Sequence, residues 1–247
     1  MRKVVYLCIG ALLLYGCSQA AQQTDPKSEK ETVSVQTDIQ TAVKKLISTD
    51  YQYKITVSYG NGVTLAGIGI KQAEPYMQYE VLEGEETFVF EEDGERRRMI
   101  RDGGEWFPLE PVDPSFPCYE KASDRWKYAG IETMAAQDYK VYSAQFDEAA
   151  VGSGPDGTIE IMSNILLSYY VNQKTGTIDR IIMDRSDFGN KAWIVNQMLQ
   201  GESGENAADH LEENPELSAE YQSIVTYDFQ EIDGTVDFPD KRAGVTD

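Results

Sequence analysis

Histidine, cysteine and positive charge are all scarce in this 247-residue chain: one His, three Cys, and 22 Lys and Arg against 42 Asp and Glu. His210 lies in a polar, acidic stretch. Ser-His-Asp or Cys-His catalysis would need that one residue in a cleft beside a nucleophile, and nothing in the sequence puts it there. The net charge of −20 repels nucleic acid and anionic headgroups. No apolar run approaches the roughly 20 residues that span a bilayer as a helix. Spaced Asp-x-Asp-x-Asp-Gly loops and internal repeats are also missing. No catalytic set, metal-ligand set or cofactor motif is read here.

What the chain does have begins at its N-terminus. Arg2 and Lys3 precede an apolar run from Val4 to Leu14, which has the layout of a secretory signal. Leu14-Tyr15-Gly16-Cys17 resembles a bacterial lipobox, with Leu three residues before the Cys and a small Gly directly before it. Tyr15 is bulkier than that pattern prefers. The resemblance implies diacylglycerol on Cys17, cleavage after Gly16, and a protein held at the extracytoplasmic face of a cell membrane by its lipid. The anchor has to come from acyl chains, because loss of Arg2 and Lys3 takes the charge from −20 to −22. Cys8 leaves with the signal and Cys17 is consumed. Cys118 then stands alone, so no intramolecular disulfide forms, and with His210 it falls short of a four-ligand site. Beside Pro117, Cys118 reads as a small buried or half-buried residue, a reactive thiol being the other role open to it.

Four segments follow: a signal peptide at 1–16, a lipidated Cys and flexible tether at 17–34, one domain at 35–239, and a frayed tail at 240–247. The tether is rich in Gln, Thr, Ser, Lys and Glu, and as a coil would span roughly 20–25 Å. Val35, Ile39, Val43, Leu46 and Ile47 share one face and predict a helix over 35–48. From Tyr51 the period becomes two. Asn61-Gly62 predicts a two-residue hairpin turn that pairs Tyr53 with Ile70, Ile55 with Ile68 and Val57 with Ala66, leaving Gly67 and Gly69 on the opposite face. Further strands are expected at 76–82, 87–91 and 96–101. Asp93-Gly94 sets Glu91 against Arg96, Phe88 against Met99 and Glu86 against Arg101. Trp106 then shares a face with Phe88, Phe90 and Met99. Residues 126–134 and 138–146 make another hairpin, 152–157 a loop, and 164–171 and 177–184 a hairpin with Gly176 left-handed. Helices are expected at 190–200 and 205–213, and a last strand at 221–232. Arg96, Arg97, Arg98 and Arg101 form the basic cluster, read as cross-strand partners of Glu91 and Glu86. An anionic headgroup or wall polymer is the other role such a cluster takes.

The fold class expected from this pattern is α+β: a curved antiparallel sheet of about ten strands, an open half-barrel, covered by an N-terminal helix and a helical insert before the last strand. The lipobox, the meander, the insert and the run Tyr169 to Ile178 together resemble the LolA/LppX-type lipoprotein-carrier superfamily. That resemblance covers residues 35–239 as a pattern of elements. It implies a non-enzymatic carrier or sensor with an apolar, lipid-like ligand in the half-barrel, and it marks no ligand residues by motif. From the aromatic and inward rows, the candidate lining residues are Trp106, Trp193, Tyr53, Ile55 and Phe88, whose plainer role is ordinary core. The alternative is a lipoprotein that docks a cell-envelope protein and holds no small molecule.

Overall fold

The computed structural model describes residues 26–109, 122, 125–155, 157–231 and 238. The signal, Cys17, Cys118 and the 240–247 tail therefore lie outside the described residues. Helix α1 (Pro26–Ser48) leads into five strand-to-strand steps: β1 (Tyr51–Tyr59), β2 (Thr64–Gln72), β3 (Met77–Leu82), β4 (Glu85–Glu92), β5 (Glu95–Asp102) and β6 (Glu105–Leu109). The second half holds β7 (Lys127–Met134), β8 (Gln137–Gly154), β9 (Gly157–Asn172) and β10 (Ile178–Asp184). Three helices, α2 (Ser186–Leu199), α3 (Gly204–Glu213) and α4 (Pro215–Tyr221), precede the last strand, β11 (Ser223–Glu231). All eleven strands form one antiparallel, curved, open sheet in the order β6-β5-β4-β3-β2-β1-β11-β10-β9-β8-β7. The last strand fills the slot between β1 and β10, so the two hairpin runs meet through it.

α1 lies on what we call the inner face. Ile39, Ala42, Val43 and Leu46 are almost wholly buried there, against Tyr51, Tyr53 and Ile55 of β1 and the inward rows of β8 to β11. Spacings of three and four put those residues on one stripe, which is why the helix packs on one side only. Its start is nine residues earlier than expected, inside the stretch read as tether (26–34). Lys and Glu there are good helix formers, so the helix propagates outward from its packed end without needing an apolar stripe.

α2 covers the far end of the same face. Phe188 joins the α1 core, while Trp193 and Ile194 pack with Ala207 and Leu211 of α3. Its platform is the β8–β9 hairpin, which runs on through the segment expected to be a loop at 152–157. The low β-propensity of Ala150 and Gly152 hid this extension. Their small size is what lets the helix in: a Cβ on Gly152 would sit 2.6 Å from Val195 Cγ1 and 2.7 Å from Leu199 Cδ1. α4 was not anticipated, and the strand read as starting at 221 begins two residues later.

The first hairpin corrects the expected register. Val57 faces Leu65, Ile55 faces Gly67, Tyr53 faces Gly69 and Tyr51 faces Lys71. The pairing has slipped by one residue, which turns every β2 side chain to the other face. Asn61-Gly62 is not a two-residue turn. Tyr59 N–H donates to Val63 O, Gly60 N–H to Gln222 O and Asn61 N–H to Ala219 O, so contact with α4 and its C-cap opens the loop. Of this pair only Gly62 has positive φ, at 86°. Ile68 consequently lies 58% exposed on the outer face, and Gly69 sits under Tyr53, whose ring would be 2.2 Å from an added Cβ.

The second turn holds as expected. Asp93 and Gly94 have φ of 55° and 78°, and Glu91 faces Arg96, Phe88 faces Met99 and Glu86 faces Arg101. Register then carries an unexpected consequence. Lys71, Gln78, Val89, Arg98 and Leu109 form one inner-face row across β2 to β6. Phe88, Phe90, Met99 and Trp106 therefore pack on the outer face, joined by Phe238.

Candidate functional site

The inner face divides at the C-terminal end of α1. On one side the helix fills the sheet; on the other, β3 to β6 carry no described helix. A buried lysine marks the boundary. Lys71 Nζ donates to Leu46 O at 3.1 Å, Ile47 O at 2.8 Å and Thr49 O at 2.8 Å. These are last-turn and post-helix carbonyls, which lack helical partners and favour a cation at this pole. The residue is only 3% exposed. Burial pulls the ammonium pKa down to about 8, against an upward pull from Asp50 and a further downward one from Arg96.

Around Lys71 the buried polar groups are connected. Tyr53 Oη donates to Glu80 Oε1 at 2.6 Å and accepts from Gln78 Nε2 at 2.9 Å. Tyr76 Oη donates to the Gln78 carbonyl oxygen at 2.5 Å. Burial, reinforced by the Glu80 charge, pushes the Tyr53 phenol well above its usual range. Burial also raises Tyr76, to about 12. Beneath these groups Leu46, Ile47, Tyr51, Tyr53, Lys71, Tyr76 and Phe229 enclose an apolar cavity of about 10 Å³. That volume holds about one water molecule.

Further along, α1 is held by side-chain clamps at its margin. Asp38 Oδ2 accepts from Lys140 Nζ at 3.1 Å and Tyr142 Oη at 2.9 Å. Burial pushes the Asp38 carboxyl up, but these two donors outweigh it and leave the pKa below the ordinary value. Lys45 Nζ donates to Thr175 O at 3.1 Å. The Lys140–Asp38 pair is nearly half exposed on both sides, so its contribution to holding the helix is small.

The five candidate lining residues are divided among three clusters. Tyr53 and Ile55 belong to the core under α1, Phe88 and Trp106 to the outer-face cluster, and Trp193 to the core under α2 and α3. His210, exposed, stacks on Trp193 at 5.8 Å between ring centroids. Sequence reasoning missed Lys71, Tyr76 and Gln78. Lys71 follows Gly67 and Gly69 with period two, so the correct register would have placed it opposite Tyr51 at the helix end.

No protein-family model matches this chain, and no curated protein matches it by sequence. Structures of similar fold include the lipoprotein LppX of Mycobacterium tuberculosis, at 8% identity and TM-score 0.43, covering 83% of this chain and 99% of that one. LprF from Mycobacterium bovis aligns at 10% identity and TM-score 0.37, covering 84% and 97%. MucB aligns at 12% identity and TM-score 0.35, covering 61% and 52%, and MucB of Pseudomonas aeruginosa has been solved in complex with MucA. LppX, to whose type the sequence pattern is likened, is thus among the structures this chain is similar to. No helix among the described residues is long and apolar enough to cross a membrane.

Proposed function

We propose that this chain is a lipid-anchored, non-enzymatic binding protein at the extracytoplasmic face of a cell membrane, and that α1 covers the place of an apolar ligand on the inner face. The observation that carries the reading is the manner of that cover. An N-terminal helix, tied to the sheet by chain at one end only, buries a stripe of three large aliphatics and one Ala and is held at its margins by polar clamps. Burying Ile39, Val43 and Leu46 contributes roughly 5–9 kcal/mol at 1.5–3 kcal/mol each. An acyl chain of about fourteen methylenes contributes roughly 11 kcal/mol at 0.8 kcal/mol each. The ligand is thus able to take the place of the stripe, and the helix exchanges with it.

Mass spectrometry of organic extracts from the natively purified protein tests the reading, with a stoichiometric acyl lipid as the expected result. The anchor is tested separately: Cys17→Ser abolishes fatty-acid labelling and releases the protein from membranes, whereas labelling that persists counts against lipidation. A second reading, a lipoprotein that docks a protein partner, is favoured by one observation. The cavity enclosed at the end of α1 is about 10 Å³, so the inner face beneath that helix is already filled in this state. An extract free of lipid selects that reading.

A further inference from the structure

We infer that Arg96 and Arg98 form the binding site for the anionic head of an amphiphile whose apolar part lies on the inner face; this rests on the reading above and names the class of its ligand. The four arginines of β5 divide by parity. Arg97 and Arg101 point to the outer face, and each has a carboxylate: Arg97 Nε is 3.2 Å from Glu92, and Arg101 Nη1 is 3.0 Å from Glu86. Arg96 and Arg98 point to the inner face, and neither forms an ion pair or hydrogen bond with any described residue. Glu91 stands directly across from Arg96, yet the guanidinium lies over the Tyr76 ring instead, 3.9 Å from its centroid. In a chain of net charge −20, Arg96 and Arg98 are the two described arginines without a carboxylate partner among the described residues, and both are half-buried.

Their surroundings fit an anion with a tail. Two residues apart on one strand, the two Cα atoms are ~7 Å apart, a span that a phosphate or carboxylate bridges between two long side chains. On the inner face of β2 to β6 the register places Glu80 and Glu91 nearest Lys71, Arg96 and Arg98, and sets Glu85, Asp102 and Glu105 beyond Ile100 and Phe107 at the other end of the strands. Glu80 is already engaged by Tyr53 and Gln78, and Lys71 by the end of α1. Val89 lies in the Arg98 row, and Ile100 and Phe107 lie in the next. Phe107 and Leu109 are 45% and 40% exposed on this face. The Tyr76 ring that carries Arg96 is also a wall of the small apolar cavity under α1. The head site therefore adjoins the seam through which a tail enters as α1 lifts.

Calorimetric titration of the full chain with hexadecyl phosphate and with hexadecanol tests this. The expected result is at least tenfold tighter binding of the phosphate, lost in Arg96→Gln/Arg98→Gln with hexadecanol affinity unchanged, and kept in Arg97→Gln/Arg101→Gln. Equal wild-type affinity for both probes overturns the head site and leaves the apolar-ligand reading standing. Equal loss in the Arg97/Arg101 variant overturns it as well, since a diffuse field then explains the preference. Competition by inorganic phosphate at the probe's own concentration points to a free-anion site and overturns the amphiphile. Binding of neither probe overturns the apolar-ligand reading and this inference with it.

Discussion

The two halves of the sheet bury opposite faces. From β7 to β11 and into β1, the larger buried rows point inward, to α1 and α2. From β4 to β6 the buried aromatics point outward, and the inner face carries Thr87, Arg96 and Arg98 with partly exposed aliphatics. The change occurs across β2 and β3, where Gly67 and Gly69 let neighbouring groups close in, the Tyr53 ring over Gly69, and Lys71 ties down the end of the helix. One continuous hydrogen-bonded sheet thus carries, on the same face, a region covered by described helices and a region that no described helix covers. Closure is set by where the helix ends, not by the sheet.

Charge placed in the two regions separates them most strongly. Leu46→Asp puts an unpaired carboxylate under α1 at a residue 1% exposed, and a loss of about 3–5 kcal/mol is expected from urea unfolding. Leu109→Asp, on the same face of the open wing, should stay within about 0.5 kcal/mol. Equal losses would erase the distinction. Next is Gly69→Ala at the boundary, where the new Cβ meets the Tyr53 ring. Overpacking there costs about 1–3 kcal/mol, read as a lower thermal midpoint.

Lys71 and Arg98 occupy one cross-strand row and make a matched pair. Lys71→Met leaves three carbonyls without their donor and is expected to cost about 1–3 kcal/mol, with faster amide exchange in the last turn of α1. Arg98→Met removes no described partner and should cost nothing measurable. The pH dependence follows from the lowered Lys71 pKa. The folded protein releases this proton near pH 8, the unfolded chain only near the ordinary 10.5. Between those values the unfolded state binds more protons, so stability from this group rises with pH. The stability difference between wild type and Lys71→Met should therefore grow from pH 8 to 10, and a shrinking difference would refute the assignment. Small too is Arg97→Gln: its pair with Glu92 is about half exposed, so a change of no more than about 0.5 kcal/mol is expected from urea unfolding.

The sheet, its hairpins and both covering helices were legible because period two and period 3.6 survive in the sequence wherever a face is buried. Phe88, Phe90, Met99 and Trp106 fell into one row for that reason. Which face that row occupies was not legible. It depends on the β1–β2 register, and Asn61-Gly62 is pulled from its local preference by hydrogen bonds to Ala219 and Gln222, some 160 residues away. The same slip concealed the site. With Gly67 and Gly69 assigned to the outer face, Lys71 goes with them, and the cluster at Arg96 to Arg101 reads as cross-strand partners of Glu91 and Glu86 with no division between faces. Alternation along β5 separates them only once the inner face is known. The long β8–β9 hairpin was hidden by the small residues that let α2 approach, a tertiary demand with no local signature.

On the proposed function, α1 and an amphiphile compete for one face. Amide hydrogen exchange of the full chain, with and without saturating hexadecyl phosphate, tests it most directly. Protection should fall through residues 39–47 on ligand addition while the β8 and β9 amides stay protected. Unchanged α1 protection with the amphiphile bound would contradict it.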